Sequence, residues 1–160
     1  MEHDDGHTED ARPEPSVRRR DPADTLRMAL VTYVFVNLLV GVPILLVPVG
    51  FFETIGVPSI VARDFAGLRW VGAILVAWGV SGLLVMARPY GRAYFVTVGS
   101  LQMTFAAAAL VFSWQAGEGI GDLWFQASAA IVYAATALYL WWARLRARSV
   151  LAADVVEVTD

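Results

Sequence analysis

Four long apolar runs, separated by short polar stretches, organise this chain. The first, Met28 to Val49, is 22 residues with only Thr32 and Asn37 as clearly polar side chains. At 1.5 Å per residue such a helix is about 33 Å long, enough to cross a hydrocarbon core of about 30 Å. The others cover residues 65–87, 93–114 and 122–143. Pro43 falls inside the first run and predicts a kink there. The pattern predicts an all-α integral membrane four-helix bundle, up-down-up-down, with one transmembrane domain over residues 28–143.

The breaks between runs carry turn chemistry. In Gly50 to Arg63, Phe51, Phe52 and Ile55 share one face of a short turn, predicting a piece that lies at the interface with its aromatics in the lipid boundary. Ser59 is placed to cap a helix leading into the second span. Arg88-Pro89-Tyr90-Gly91-Arg92 is a tight reversal. Gln115 to Gly121 is a short glycine-rich loop, and Asp122 suits the positive end of the helix that follows.

Residues 1–27 hold eight acids, five arginines and almost no apolar surface, so burial does not offset ordering entropy there. They are expected to form a disordered cytoplasmic tail, and residues 144–160 a second, shorter one. Arg18-Arg19-Arg20 and Arg27 raise a processing signal, but the following run is long enough to span and lacks a small-residue cleavage site. Asp-Pro directly after the arginines also disfavours a twin-arginine signal.

Charge then sets orientation. All twelve basic residues are arginine; ten belong to the two tails and the 88–92 turn, and only Arg63 and Arg69 fall on the other side. The excess of arginine marks the cytoplasmic side, which predicts both termini inside a cell membrane. Outside the tails every carboxylate (Glu53, Asp64, Glu118, Asp122) lies on the opposite, outer side.

Composition removes several kinds of chemistry. With 58% hydrophobic residues and a mean hydropathy of +0.57, the chain is too apolar for an ordinary soluble domain. There is no cysteine, and both histidines, His3 and His7, lie in the N-terminal tail. Thiol redox, Cys-ligated metal and intramembrane haem ligation are therefore not expected, and neither a metal nor any other cofactor is predicted. A proton-coupled exporter needs a titratable group at mid-membrane, where this chain has only neutral polar residues such as Asn37, Ser81, Ser100, Gln102, Thr104 and Thr136. No membrane-embedded His, Cys or central carboxylate supports catalysis, and a non-enzymatic role is expected.

Candidate residues fall into three groups. Arg69, read as about one turn inside the second helix, is costly to leave unpaired in lipid, and Glu53, Asp64, Glu118 and Asp122 are its possible partners. That outer polar cluster is either a structural clasp or an outward-facing pocket in which Arg69, with Trp70 beside it, binds an anionic or polar headgroup. Asn37 and Gln102 are the intramembrane polar groups; Asn37 needs a partner within the bundle, since lipid offers none. Gly72 and Gly79 lie seven residues apart on one face, while Gly99 and Ser100 are small residues of the third helix, so all four are read as helix-packing positions.

Two motifs carry a resemblance. Pro48-x-x-x-Phe52-x-x-x-Gly56, followed by Leu68-Arg69-x-x-Gly72-x-x-x-x-x-x-Gly79, resembles the small four-helix membrane proteins of bacteria and archaea grouped as DoxX-like. It covers roughly Met28 to Ala143 and implies the four-helix fold. Some members of that group are accessory subunits of membrane redox systems; this chain lacks the cysteines of a thiol-active relative. The expected role is an accessory, structural or interaction subunit. Its expected partners are the bilayer and another membrane chain or a further copy, with no nucleic acid. The alternative is a small-molecule or lipid-binding, transporter-like protein with its pocket near Arg69.

Overall fold

The computed structural model describes residues 21–152, and every regular element in that range is helical. The order is α1 (Pro22–Leu46), α2 (Pro48–Thr54), α3 (Ser59–Ala62), a 3-10 turn (Asp64–Leu68), α4 (Arg69–Ala87), α5 (Ala93–Gln115), α6 (Leu123–Arg146) and α7 (Arg148–Ala152). Four helical stretches, at 22–46, 59–87, 93–115 and 123–146, are long and apolar enough to cross a membrane.

α1 starts earlier than its hydropathy indicates. Asp21 caps it, Oδ1 accepting from the Ala23 amide at 2.9 Å, and Pro22 takes the first-turn position where a missing amide costs nothing. Of the expected tail 1–27, residues 22–27 are therefore helix, and residues 1–20 lie outside the described range. Ala23, Leu26, Ala29 and Leu30 are buried, whereas Asp24 and Arg27 point outward and pair at 3.4 Å. One helical face of the charged stretch is thus apolar core. α1 stays helical through Pro43, ends at Leu46, and Pro48 opens α2.

α1 is the central helix. It packs on α4 along one side and on α6 along another, and α6 packs on α5. Glycines set the α1–α4 spacing. A Cβ at Gly72 would meet the Leu45 amide nitrogen at 2.5 Å and the Gly41 carbonyl oxygen at 2.8 Å, so the two backbones touch. Further along α4, Gly79 lies against Leu38 and Gly82 against Val34 and Tyr33. Close backbone approach of this kind is how helices associate where no hydrophobic effect drives them together. The small-residue face of α4 is thereby used within the chain.

Two cores result. One joins Leu26, Leu30, Tyr33 and Val36 of α1 to Val85, Val96, Met103, Leu140 and, through α7, Leu151. The other is a cap built from Phe52, Ile55, Val57 and Ala62, with Phe65 and Phe125 packed against it. The interfacial turn expected at 50–56 is thus corrected. Phe52 and Ile55 are buried among other side chains, because the chain folds back at Gly56 and brings α3 and the 3-10 turn over them.

That reversal is a Schellman closure. Gly56 has φ +92°, its amide donates to the Glu53 carbonyl at 3.1 Å, and the Val57 amide donates to the Phe52 carbonyl at 2.9 Å. α5 closes the same way: Gly117 has φ +73°, its amide donates to Trp114 and the Glu118 amide to Ser113. The two closures meet where the Asp122 amide donates to the Ile55 carbonyl at 2.7 Å, tying the 47–68 connection to the 116–122 loop. Ser59 is the first residue of α3 behind Pro58 and makes no side-chain cap bond, which corrects its expected capping role.

Candidate functional site

A closed set of hydrogen bonds crosses the middle of the bundle. Asn37 is fully buried; its Nδ2 donates to the Tyr33 carbonyl at 2.9 Å, and its Oδ1 accepts from Gln102 Nε2 at 3.1 Å. The Tyr33 hydroxyl donates to Gln102 Oε1 at 2.5 Å. Both amide side chains therefore use both ends. No buried side-chain polar atom among the described residues is left without a partner. Tyr33 also packs edge-on against Phe95 and against the bare backbone of Gly82 and Gly99. Ser100 is buried beside them and donates back to the Val96 carbonyl. Asn37 and Gln102, noted separately in the sequence, thus meet, and Tyr33 completes the group. The one local hint was its place one turn before Asn37; the glycines opposite it, Gly82 and Gly99, are brought there only by the fold. A buried network in which every polar atom has a partner fixes register between α1 and α5.

Beside it α1 and α5 are held apart. A cavity of about 470 Å³ opens between them, floored by α6 and closed at one end by α2 and the 116–122 loop. Phe35, Val36, Leu39, Val40 and Ile44 of α1 form one wall, Leu110 of α5 another, and Phe125, Ala129, Val132 and Tyr133 the floor. Phe51, Phe52, Ile55 and Ile120 close the capped end. Apart from the Tyr133 hydroxyl on the floor, the polar groups lie at the margin: Ser113, Glu118, Gln126 and Ser128. Gln126 is already committed, Nε2 donating to the Gly121 carbonyl at 2.8 Å and Oε1 lying against Gly119. Phe35, Leu39 and Val132 are largely exposed, so the cleft opens sideways onto the surface that an apolar solvent would cover. Its volume and its apolar walls with a few marginal polar groups are those of a small-molecule site.

The outer polar cluster does not assemble. Glu53, Asp64, Arg69, Glu118 and Asp122 are all exposed, and among the described residues the ion pair that forms is Arg27–Asp24. Arg69 is the first residue of α4, behind the 3-10 turn Asp64–Leu68, and does not lie a turn inside a helix. Its side chain is exposed, with no carboxylate paired to it among the described residues. Asp122 instead accepts from Trp124 Nε1 at 3.2 Å and lies over Gly56. The clasp between loops is the backbone bond from Asp122 to Ile55. Of the five, only Glu118 borders the cleft, and Arg69 does not. Among the described residues no group of three or more His, Cys, Asp or Glu side chains is placed to hold a metal.

The fold and cleft define the class: an all-helical chain with four helices able to span a membrane and a side-opening apolar cavity between two of them. Comparison with family models, with curated proteins and with solved structures finds no match in any of the three.

Proposed function

We propose that this chain is a multi-pass protein of the cell membrane, up-down-up-down with both termini cytoplasmic, that holds an amphipathic small molecule or lipid in the α1–α5–α6 cleft. The orientation is supported by the ten-to-two distribution of arginines. The cleft carries the function. Its walls are apolar, its mouth faces the lipid region, and its polar margin lies at the capped end, which matches a molecule with an apolar body and one polar end. Glu118 at that margin favours a neutral or cationic end group over an anionic one. The site thus moves from Arg69 to Glu118. A non-enzymatic role accords with four stretches that hold no His or Cys and carry their carboxylates, Asp24 and Asp64, only near an end.

The test is a thermal shift in detergent with a long-chain fatty alcohol, comparing the native chain with Ala129→Trp, which places an indole in the cleft. A stabilisation seen in the native chain and lost in the variant is expected. An equal shift in both sinks the proposal.

A second reading, an accessory or interaction subunit as in some DoxX-like proteins, is favoured by one observation. Gly72, Gly79 and Gly82 are buried against α1, but Ala73 and Ala77, four apart, remain exposed on α4 between Trp70 and Leu84. A further copy or another membrane chain packed there would contact these residues. Ala77→Trp would shift the mass found after gentle extraction if that face is used, and would leave it unchanged otherwise.

A further inference from the structure

At the opposite end of the bundle from the cleft's cap, Arg144 is held by its neighbours in one orientation. Its Nε donates to Thr97 Oγ1 at 2.8 Å, and Thr97 in turn donates to the Ala93 carbonyl at 2.8 Å, so the hydroxyl's proton is committed and its lone pair faces the guanidinium. The guanidinium carbon also sits 5.6 Å from the centre of the Trp141 ring. These two contacts use the Nε edge and one face of the group. Neither terminal nitrogen has an acceptor among the described residues. Arg144 and Arg148, one turn apart, both line an open recess of about 340 Å³ whose other walls, among the described residues, are Ala93, Leu151 and Ala152.

We propose that this cavity binds the phosphate of an anionic phospholipid headgroup. A guanidinium anchored through Nε presents its two terminal nitrogens as a planar fork, the geometry that grips a phosphate with two parallel hydrogen bonds. A second arginine on the same wall adds charge, and among the described residues no carboxylate lines the site. The apolar walls and the adjacent indoles of Trp141 and Trp142 belong at the headgroup boundary, where a lipid's glycerol and first methylenes would continue past the phosphate. A free phosphate would leave Leu151 and Ala93 unused. The site is independent of the cleft, and neither proposal depends on the other.

The experiment is a lipid titration of the full chain in detergent, read by native mass spectrometry, with phosphatidylglycerol and phosphatidylcholine as probes. The native chain is expected to retain phosphatidylglycerol preferentially. Arg144→Gln and Arg148→Gln each weaken that binding about tenfold or more, the loss of a charge-assisted hydrogen bond. Arg148 is exposed and makes no side-chain bond among the described residues, so its variant is expected to keep the fold. Thr97→Val leaves every charge in place but frees the fork, and is expected to weaken binding as well; Thr97→Ser restores it. Arg88→Gln removes an equal charge outside the cavity and should change nothing. Equal weakening by Arg88→Gln, or no effect of Thr97→Val, reduces the preference to diffuse attraction and overturns the proposal. Saturation by inorganic phosphate with no added effect of lipid overturns the lipid assignment. Preference that appears only in Asp154→Asn/Glu157→Gln/Asp160→Asn overturns it too, because the cavity then belongs to the chain's own acidic end.

Discussion

Replacing Gly72 by alanine tests the α1–α4 contact directly. The added carbon would stand 2.5 Å from the Leu45 nitrogen, about 0.9 Å inside the 3.4 Å at which ordinary contact begins. Its neighbours are backbone on a second helix, so no side-chain rotation relieves the clash and the helices must separate. Separation loosens the whole seam, including Gly79 against Leu38 and Gly82 against Tyr33. Overpacking of this kind costs about 1–3 kcal/mol, sometimes more. Alanine's better helix propensity returns about 1 kcal/mol. The net expectation is a loss approaching 2 kcal/mol, of order the difference between those two ranges. Gly67→Ala is the internal control, since nothing lies within 4 Å of its added carbon. It is expected to be neutral, or stabilising by about 0.4–1 kcal/mol through the unfolded state. Both variants would be unfolded by dodecyl sulfate in mixed micelles and followed by tryptophan fluorescence. If Gly72→Ala proves as stable as Gly67→Ala, the α1–α4 contact is not made as described.

Three further outcomes follow from single features. Tyr33→Phe removes one interhelical hydrogen bond and is expected to cost about 0.6–1.7 kcal/mol, whereas Asn37→Ala, which breaks two bonds and strands Gln102 Nε2, costs more; the same micelle titration ranks them. Gly56→Ala forces a side chain into a left-handed conformation, at about 1–2 kcal/mol, and drives it into the Asp122 carboxylate; a lowered Tm that Asp122→Ala partly restores is the signature. Arg69→Ala, at an exposed helix end without an ion pair, should change stability by no more than about 0.5 kcal/mol, and a large loss would show that Arg69 is a structural clasp after all.

What the sequence by itself determined is the set of long apolar helices, because span length and hydropathy are local properties that need no partner to be read. Turn chemistry is legible for the same reason: Arg88-Pro89-Tyr90-Gly91-Arg92 and the glycine-rich 116–121 stretch both separate helices. Polar residues in an apolar run also announce themselves, since Asn37 and Gln102 each require a partner within reach of the other helices. Which partner they take was settled only in three dimensions. Nothing near Tyr33 in sequence says that its hydroxyl reaches Gln102, on a helix 69 residues away. The start of α1 was hidden because Asp24 and Arg27 dominate a stretch whose other face is core. Arg69 drew attention as a charge beside a span, yet it follows a 3-10 turn as the first residue of α4, exposed and without an ion pair among the described residues. The cleft had no local signal at all. Its walls are ordinary apolar side chains, and the space between them exists only because Tyr33, Gln102 and the capped loops hold α1 and α5 at a distance that neither helix encodes alone.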